Sequence, residues 1–188
     1  DYPEGFKDSR YLYEERDDKF KASEICTKTL SKEAFEDASS STEVLIKAIK
    51  DLVNETNLIQ GSFEKPKLFD AIQDPANTEA FLKALRDLLH GKGESPERLE
   101  RFSDYMDTIG LRKWTYGTYF LFLNDPKNEM FVKPTSIQKA ADIETFELGY
   151  DPAPTADGYR RILQFAAYVF SSLKAENNLL LDPEDNID

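Results

Sequence analysis

Residues 111 to 123, LRKWTYGTYFLFL, constrain this chain more than any other stretch. After the two basic residues near its start, the apolar side chains keep to no single stripe. Trp114, Tyr116, Tyr119, Phe120, Leu121, Phe122 and Leu123 run nearly all the way round a helical wheel. A helix that is apolar on every side needs protein on every side. The segment therefore belongs at the centre of a fold, and the rest of the chain must wrap it. Gly117 removes a side chain at mid-segment, where a neighbouring helix could approach closely. A buried strand also suits aromatic residues alternating with small ones. Helix is the favoured reading, because no partner strands lie nearby in the sequence.

The wrapping is legible as amphipathic helices. In TEVLIKAIKDLVN, 42 to 54, Val44, Leu45, Ala48, Ile49, Leu52 and Val53 recur at three- and four-residue spacing, and Thr42 can N-cap. Residues 77 to 90 repeat the pattern with Phe81, Ala84, Leu85 and Leu88, and Gly91 is a natural stop. Ser95 and Pro96 read as an N-cap followed by a first-turn proline, and Gly110 ends that helix. Thr155 caps a long helix with Tyr159, Ile162, Leu163, Ala166, Phe170 and Leu173 on its apolar stripe. Weaker helical patterns cover 17–30, 32–39, 66–73 and 136–146. The only strand candidate is MFVK, 130 to 133, too short to found a sheet. The expectation is an all-α fold: one compact multi-helix domain of eight or nine helices over residues 1–188, with the aromatic-rich helix in the middle. The chain starts without Met and stops inside an acidic run, so it reads as a fragment of a longer protein.

Charge and cysteine content narrow the function classes. Acidic residues outnumber basic ones 36 to 24, for a net charge of -12. That disfavours a nucleic acid or anionic membrane held by the surface as a whole. With one cysteine, Cys26, neither a disulfide framework nor a cysteine-rich zinc site can form, and a reducing, cytoplasmic location fits best. No apolar run approaches the ~18 residues of a membrane span, so no membrane role is expected.

The recognisable chemistries are missing from the motifs. The single histidine, His90, sits at a helix C-terminus, where the dipole favours its charge. One histidine cannot build a HExxH site. No GxSxG, GxxxxGK[ST] or GxGxxG occurs. Cys26 lies among Ile25 and Leu30 on a helix face and reads as a buried thiol. The tail DPEDNID has the alternating carboxylates of a calcium loop but lacks its glycine and distal glutamate, so it reads as a solvated acidic tail. No catalytic residue, cofactor or metal is assigned.

One region stands out by charge. Between residues 110 and 141 five basic residues (Arg112, Lys113, Lys127, Lys133, Lys139) meet two acidic ones (Asp125, Glu129), giving +3 within a chain of -12. Thr135 and Ser136 begin the helix that follows, and its free N–H groups could hold an anion. Arg112, Lys113, Trp114, Lys127, Lys133, Thr135 and Lys139 are therefore the candidate binding residues, for a phosphate backbone, an anion or an acidic partner. The alternative is that the lysines simply pair with acidic surroundings.

Several pieces, YEERDDKFKASEI (13–25), TNL (56–58), FEK (63–65), Trp114 followed by TYFLFLNDP (118–126), MFVKPTSIQKAA (130–141) and LDPEDNID (181–188), resemble a family of uncharacterised prokaryotic proteins. Its members continue past this point with a further apolar segment. The resemblance covers most of the chain and implies no activity, so it carries over no catalytic residues. The reading is a non-enzymatic helical domain that binds a protein partner or regulates a larger assembly. The alternatives are nucleic-acid association through region 112–139, and an enzyme with an unfamiliar site built from carboxylates or tyrosine hydroxyls.

Overall fold

The computed structural model describes residues 2–37, 41–175, 183 and 185–187. The architecture is all-α: among the described residues there is no strand. A 3-10 turn (Gly5–Lys7), a single turn α1 (Ser9–Tyr11) and a π-helical turn (Leu12–Arg16) lead into α2 (Asp17–Thr29) and the short α3 (Lys32–Glu36). Then follow α4 (Thr42–Glu55), α5 (Glu64–Gln73), α6 (Thr78–His90), α7 (Ser95–Thr108), α8 (Trp114–Asn124), α9 (Pro134–Ile143) and α10 (Ala156–Ala175). No described helix is long and apolar enough to cross a membrane.

The aromatic segment is the central helix. In α8 every residue from Trp114 to Leu123 is buried. It packs against α2, α6 and α7, while α10 lies on α7. One apolar core runs without a break from Ala22 to Ile187. Gly117 allows the closest approach: a Cβ there would stand 2.4 Å from Leu99 Cδ1 of α7.

The tyrosines of α8 also close the ends of its neighbours. Tyr119 donates to the Leu52 carbonyl (2.9 Å) in the last turns of α4, and Tyr116 donates to the Glu64 carbonyl (3.1 Å) at the start of α5. Burial pushes the Tyr116 phenol up to about 12, with the Glu64 charge adding to the effect, and raises that of Tyr119 further. Both phenols stay protonated and serve as core hydrogen-bond donors.

Several boundaries differ by a residue or two, as cap geometry decides them. Ser41, not Thr42, caps α4, its side chain accepting from Val44 N–H at 3.3 Å. Glu94 takes the position expected of Ser95, which is the first helical residue. Thr155 does cap α10, accepting from Gly158 N–H at 3.1 Å. The helix expected over 32–39 ends at Glu36, and residues 38 and 39 lie outside the described residues. MFVK is not a strand: residues 130–133 are an irregular connection between α8 and α9. His90 serves a different helix from its own, with Nε2 2.7 Å from the Leu30 carbonyl at the end of α2. Cys26 is fully buried, and burial pushes its thiol up to about 12, so it packs as a small hydrophobe.

Candidate functional site

The connection from Asp125 to Lys133 leaves backbone groups that neither α8 nor α9 can satisfy, and buried side chains satisfy them instead. Thr118, fully buried in α8, accepts Val132 N–H (3.0 Å) while its own hydroxyl donates to the Trp114 carbonyl (2.6 Å). Tyr159 of α10 accepts Met130 N–H (3.0 Å). Its single proton goes to Glu129 Oε2 (2.9 Å), with the Met130 carbonyl at 3.1 Å as the other acceptor in reach. From the far end of the chain, Asn186 N–H donates to the Pro126 carbonyl and Asn186 Nδ2 to the Glu129 carbonyl, each at 3.0 Å. Asp185 meets Arg16 of the π-helical turn at 3.4 Å. The expected solvated tail is therefore, at Asp185 to Ile187, a docked piece of the fold; residues 182, 184 and 188 lie outside the described residues.

Among the described residues of this cluster, Glu129 is the buried acidic side chain, 7% exposed. Burial raises its carboxyl above the ordinary glutamate range, against the hydrogen bonds from Ser95 and Tyr159 and the charge of Arg98. A carboxyl whose folded pKa is raised binds its proton more tightly folded than unfolded. Its contribution to stability therefore falls as pH rises from about 4.3 through the raised value. Glu129→Gln should remove that slope. Urea midpoints of the two proteins, measured from about pH 4 to 7, should diverge in favour of the variant as pH rises. A constant difference would mean that Glu129 titrates as it does in the unfolded chain.

The seven candidate binding residues do not form one surface. Trp114 is 2% exposed, in ring contact with Tyr150 and Tyr159, and its Nε1 donates to the Asp151 carbonyl at 2.8 Å. It has no surface to offer a ligand. Arg112 pairs with Asp104 (3.2 Å) and Asp107 (3.7 Å) at the end of α7, and Lys113 with Glu64 (3.1 Å). Two of the five basic charges counted in the sequence are thus ion-paired, Lys113 with a residue distant along the chain. The N-terminus of α9 is also largely used: Pro134 has no N–H, and the N–H groups of Ser136 and Ile137 donate to the Lys133 carbonyl. Thr135 is exposed at that turn. What survives is Lys127, Lys133 and Lys139, all exposed, none ion-paired with another described residue.

Beside these lysines lies a feature that the sequence reading missed. The apolar stripe of α10 is less buried towards its C-terminal end. Tyr159, Ile162 and Phe165 are buried, but Val169, Phe170 and Leu173 are only half-buried and Tyr168 is 45% exposed. Across from them Ile143, at the end of α9, is 70% exposed, and Phe146 stacks on both Phe165 (centroids 5.0 Å) and Tyr168 (5.9 Å). The chain turns there through Thr145 at φ 54, a left-handed conformation rare for a β-branched residue. An apolar groove of about 210 Å³ lies between the two helices, lined by Ile137 and Ala140 of α9, by Phe165, Val169 and Leu173 of α10, and by Pro183, Asp185 and Asn186 of the C-terminal segment. A second depression of about 290 Å³, reaching Lys127, shares Ala166, Phe170, Asp185 and Asn186 with it. The exposure of residues 166–173 could not be read from periodicity, because a stripe looks the same whether or not a neighbour covers it.

A larger groove, about 830 Å³, lies between α4, the end of α5 and the start of α6. Some of its polar groups are engaged locally: Lys47 pairs with Asp51 (2.5 Å), and the Thr78 hydroxyl lies within donating distance of the Ile72 and Asp74 carbonyls. Among the described residues no group of three or more histidine, cysteine, aspartate or glutamate side chains is placed to hold a metal ion. Compared with protein-family models, curated proteins and solved structures, the chain matches none.

Proposed function

We propose that this chain is a helical protein-interaction domain whose docking surface is the face shared by α9 and the C-terminal half of α10. The observation that carries the reading is apolar surface on this face: Ile143 and Tyr168 are exposed and Val169, Phe170 and Leu173 only partly buried, beside an apolar groove. Contiguous apolar surface of this kind costs free energy in water and is characteristic of the centre of interfaces. Aromatic side chains at its rim are the residues that most often dominate binding energy. The buried phenols of Tyr116, Tyr119 and Tyr159 are hydrogen-bonded into the fold.

Site-specific photocrosslinking in the native cell tests this. A photoreactive residue at 143 or 168 should yield a discrete higher-mass species. The same residue at 44, exposed but on α4, should not. Equal yields at all three positions would refute a dedicated docking face. Nucleic-acid association is the second reading, supported by the three exposed lysines alone. It predicts duplex or single-strand binding that weakens steeply with salt and with Lys133→Glu and Lys139→Glu together.

A further inference from the structure

We infer that residues 185–187 are a releasable strap that divides the face described above, and that its release joins the two depressions along α10 into one groove and so regulates docking there; this rests on the docking reading above. The position of the strap carries it. Asp185 and Asn186 line both depressions, and so do Ala166 and Phe170 of α10. The two hollows therefore meet at one boundary, made of two residues of the C-terminal segment and two of the helix. Leu163 lies in the hollow on one side of it, and Met130, Val169 and Leu173 in the hollow on the other. With the strap withdrawn, these side chains would border one trough along α10.

The hold on the strap is specific but narrow. Residues 185–187 belong to no helix. Asn186 ties them to the connection between α8 and α9, through its N–H to the Pro126 carbonyl and its Nδ2 to the Glu129 carbonyl. Asp185 pairs with Arg16 across the molecule and also accepts Ile187 N–H at 2.9 Å. That second bond turns the segment so that Ile187 is 8% exposed and joins the core. A segment held by a few polar contacts and one apolar anchor opens at a lower free energy than a packed helix does. The connection beneath does not depend on it. Thr118 and Tyr159 hold the N–H groups of Val132 and Met130 from within the fold. Release of the strap therefore opens the face and leaves its walls in place.

The test uses the full chain and a bulky fluorescent maleimide. Cys26 is fully buried, so the thiol of an Ala166→Cys variant is the one that reacts. Adding Asn186→Ala and Ile187→Ala should speed its labelling about tenfold, as the loss of a hydrogen bond and an apolar anchor predicts. Val44→Cys, exposed on α4, should label at one rate with or without them. Cys26 should stay unreactive throughout. Were it to react, Asn186→Ala alone repeats the comparison with Ile187 in place. An unchanged rate at position 166 would overturn the strap. Its regulatory role is read separately, from the photocrosslink at position 168, whose yield should rise in the strap variant. Faster labelling with an unchanged crosslink would remove the regulatory role and leave the docking reading standing. A discrete crosslink in neither protein would sink the docking reading, and the labelling rate would still decide the strap.

Discussion

Trp114→Ala is expected to lower the free energy of unfolding by about 3–5 kcal/mol. The indole is almost wholly buried and touches two other parts of the chain at once. Its ring lies between Tyr150, in the connection before α10, and Tyr159, on α10. Its Nε1 donates to the Asp151 carbonyl. Gly158 faces it so closely that a Cβ would stand 3.2 Å from Cη2. Removing the ring leaves a cavity bordered by the side chains of two other elements and orphans the Asp151 carbonyl, so transfer, cavity and hydrogen-bond losses combine. Because α10 carries the proposed docking face, the same variant should also loosen residues 147–165 locally. Urea denaturation measures the first effect, and amide exchange in α10, compared with α4, measures the second. A loss below about 1 kcal/mol would mean that the indole site collapses around the change and that Trp114 is no keystone.

Gly117→Val should be nearly as damaging, by about 3 kcal/mol, for the opposite reason. Here there is no space to add anything. The first carbon of a side chain would meet Leu99 Cδ1 at 2.4 Å and Phe102 Cδ1 at 3.4 Å, and both of those residues are buried. Gly117→Ala is the sensitive comparison. Alanine gains about 1 kcal/mol over glycine in a helix interior, so its net cost should be small or moderate, and the further methyls of valine should bring the full overpacking penalty. Leu99→Ala should relieve the clash: combined with Gly117→Val, it should cost markedly less than the sum of the two single changes. Simple additivity would show that α7 and α8 adjust freely, and that the glycine contact does not set their spacing.

The fold was legible where a pattern names its own environment. The all-round apolarity of Trp114 to Leu123 demanded a central helix, and the structure has one. The stripes on α4, α6, α7 and α10 demanded one covered face each. The glycine in α8 marked a close approach before its neighbour was known. Caps were less legible, because Ser41 and Thr42 are chemically equivalent candidates and only backbone geometry chooses between them.

The candidate site was legible in part. Counting charges along 110–141 treated Arg112 and Lys113 as equal to Lys133 and Lys139. Their partners, Glu64, Asp104 and Asp107, all lie outside the counted window, and for Glu64 the separation is 49 residues. Trp114 could be core or binding surface on composition alone. The docked residues Asn186 and Asp185 read as solvent-exposed for the same reason: nothing local announces Pro126, Glu129 or Arg16 as partners.

By itself, then, the sequence determined the class of architecture, the helix that must be central and the chemistries it lacks motifs for, because those follow from periodicity and residue type. Tertiary structure alone decided which charges stay exposed and unpaired among the described residues, and which apolar side chains stay exposed. Both depend on what the folded chain brings alongside, and neighbours distant in sequence leave no local signal.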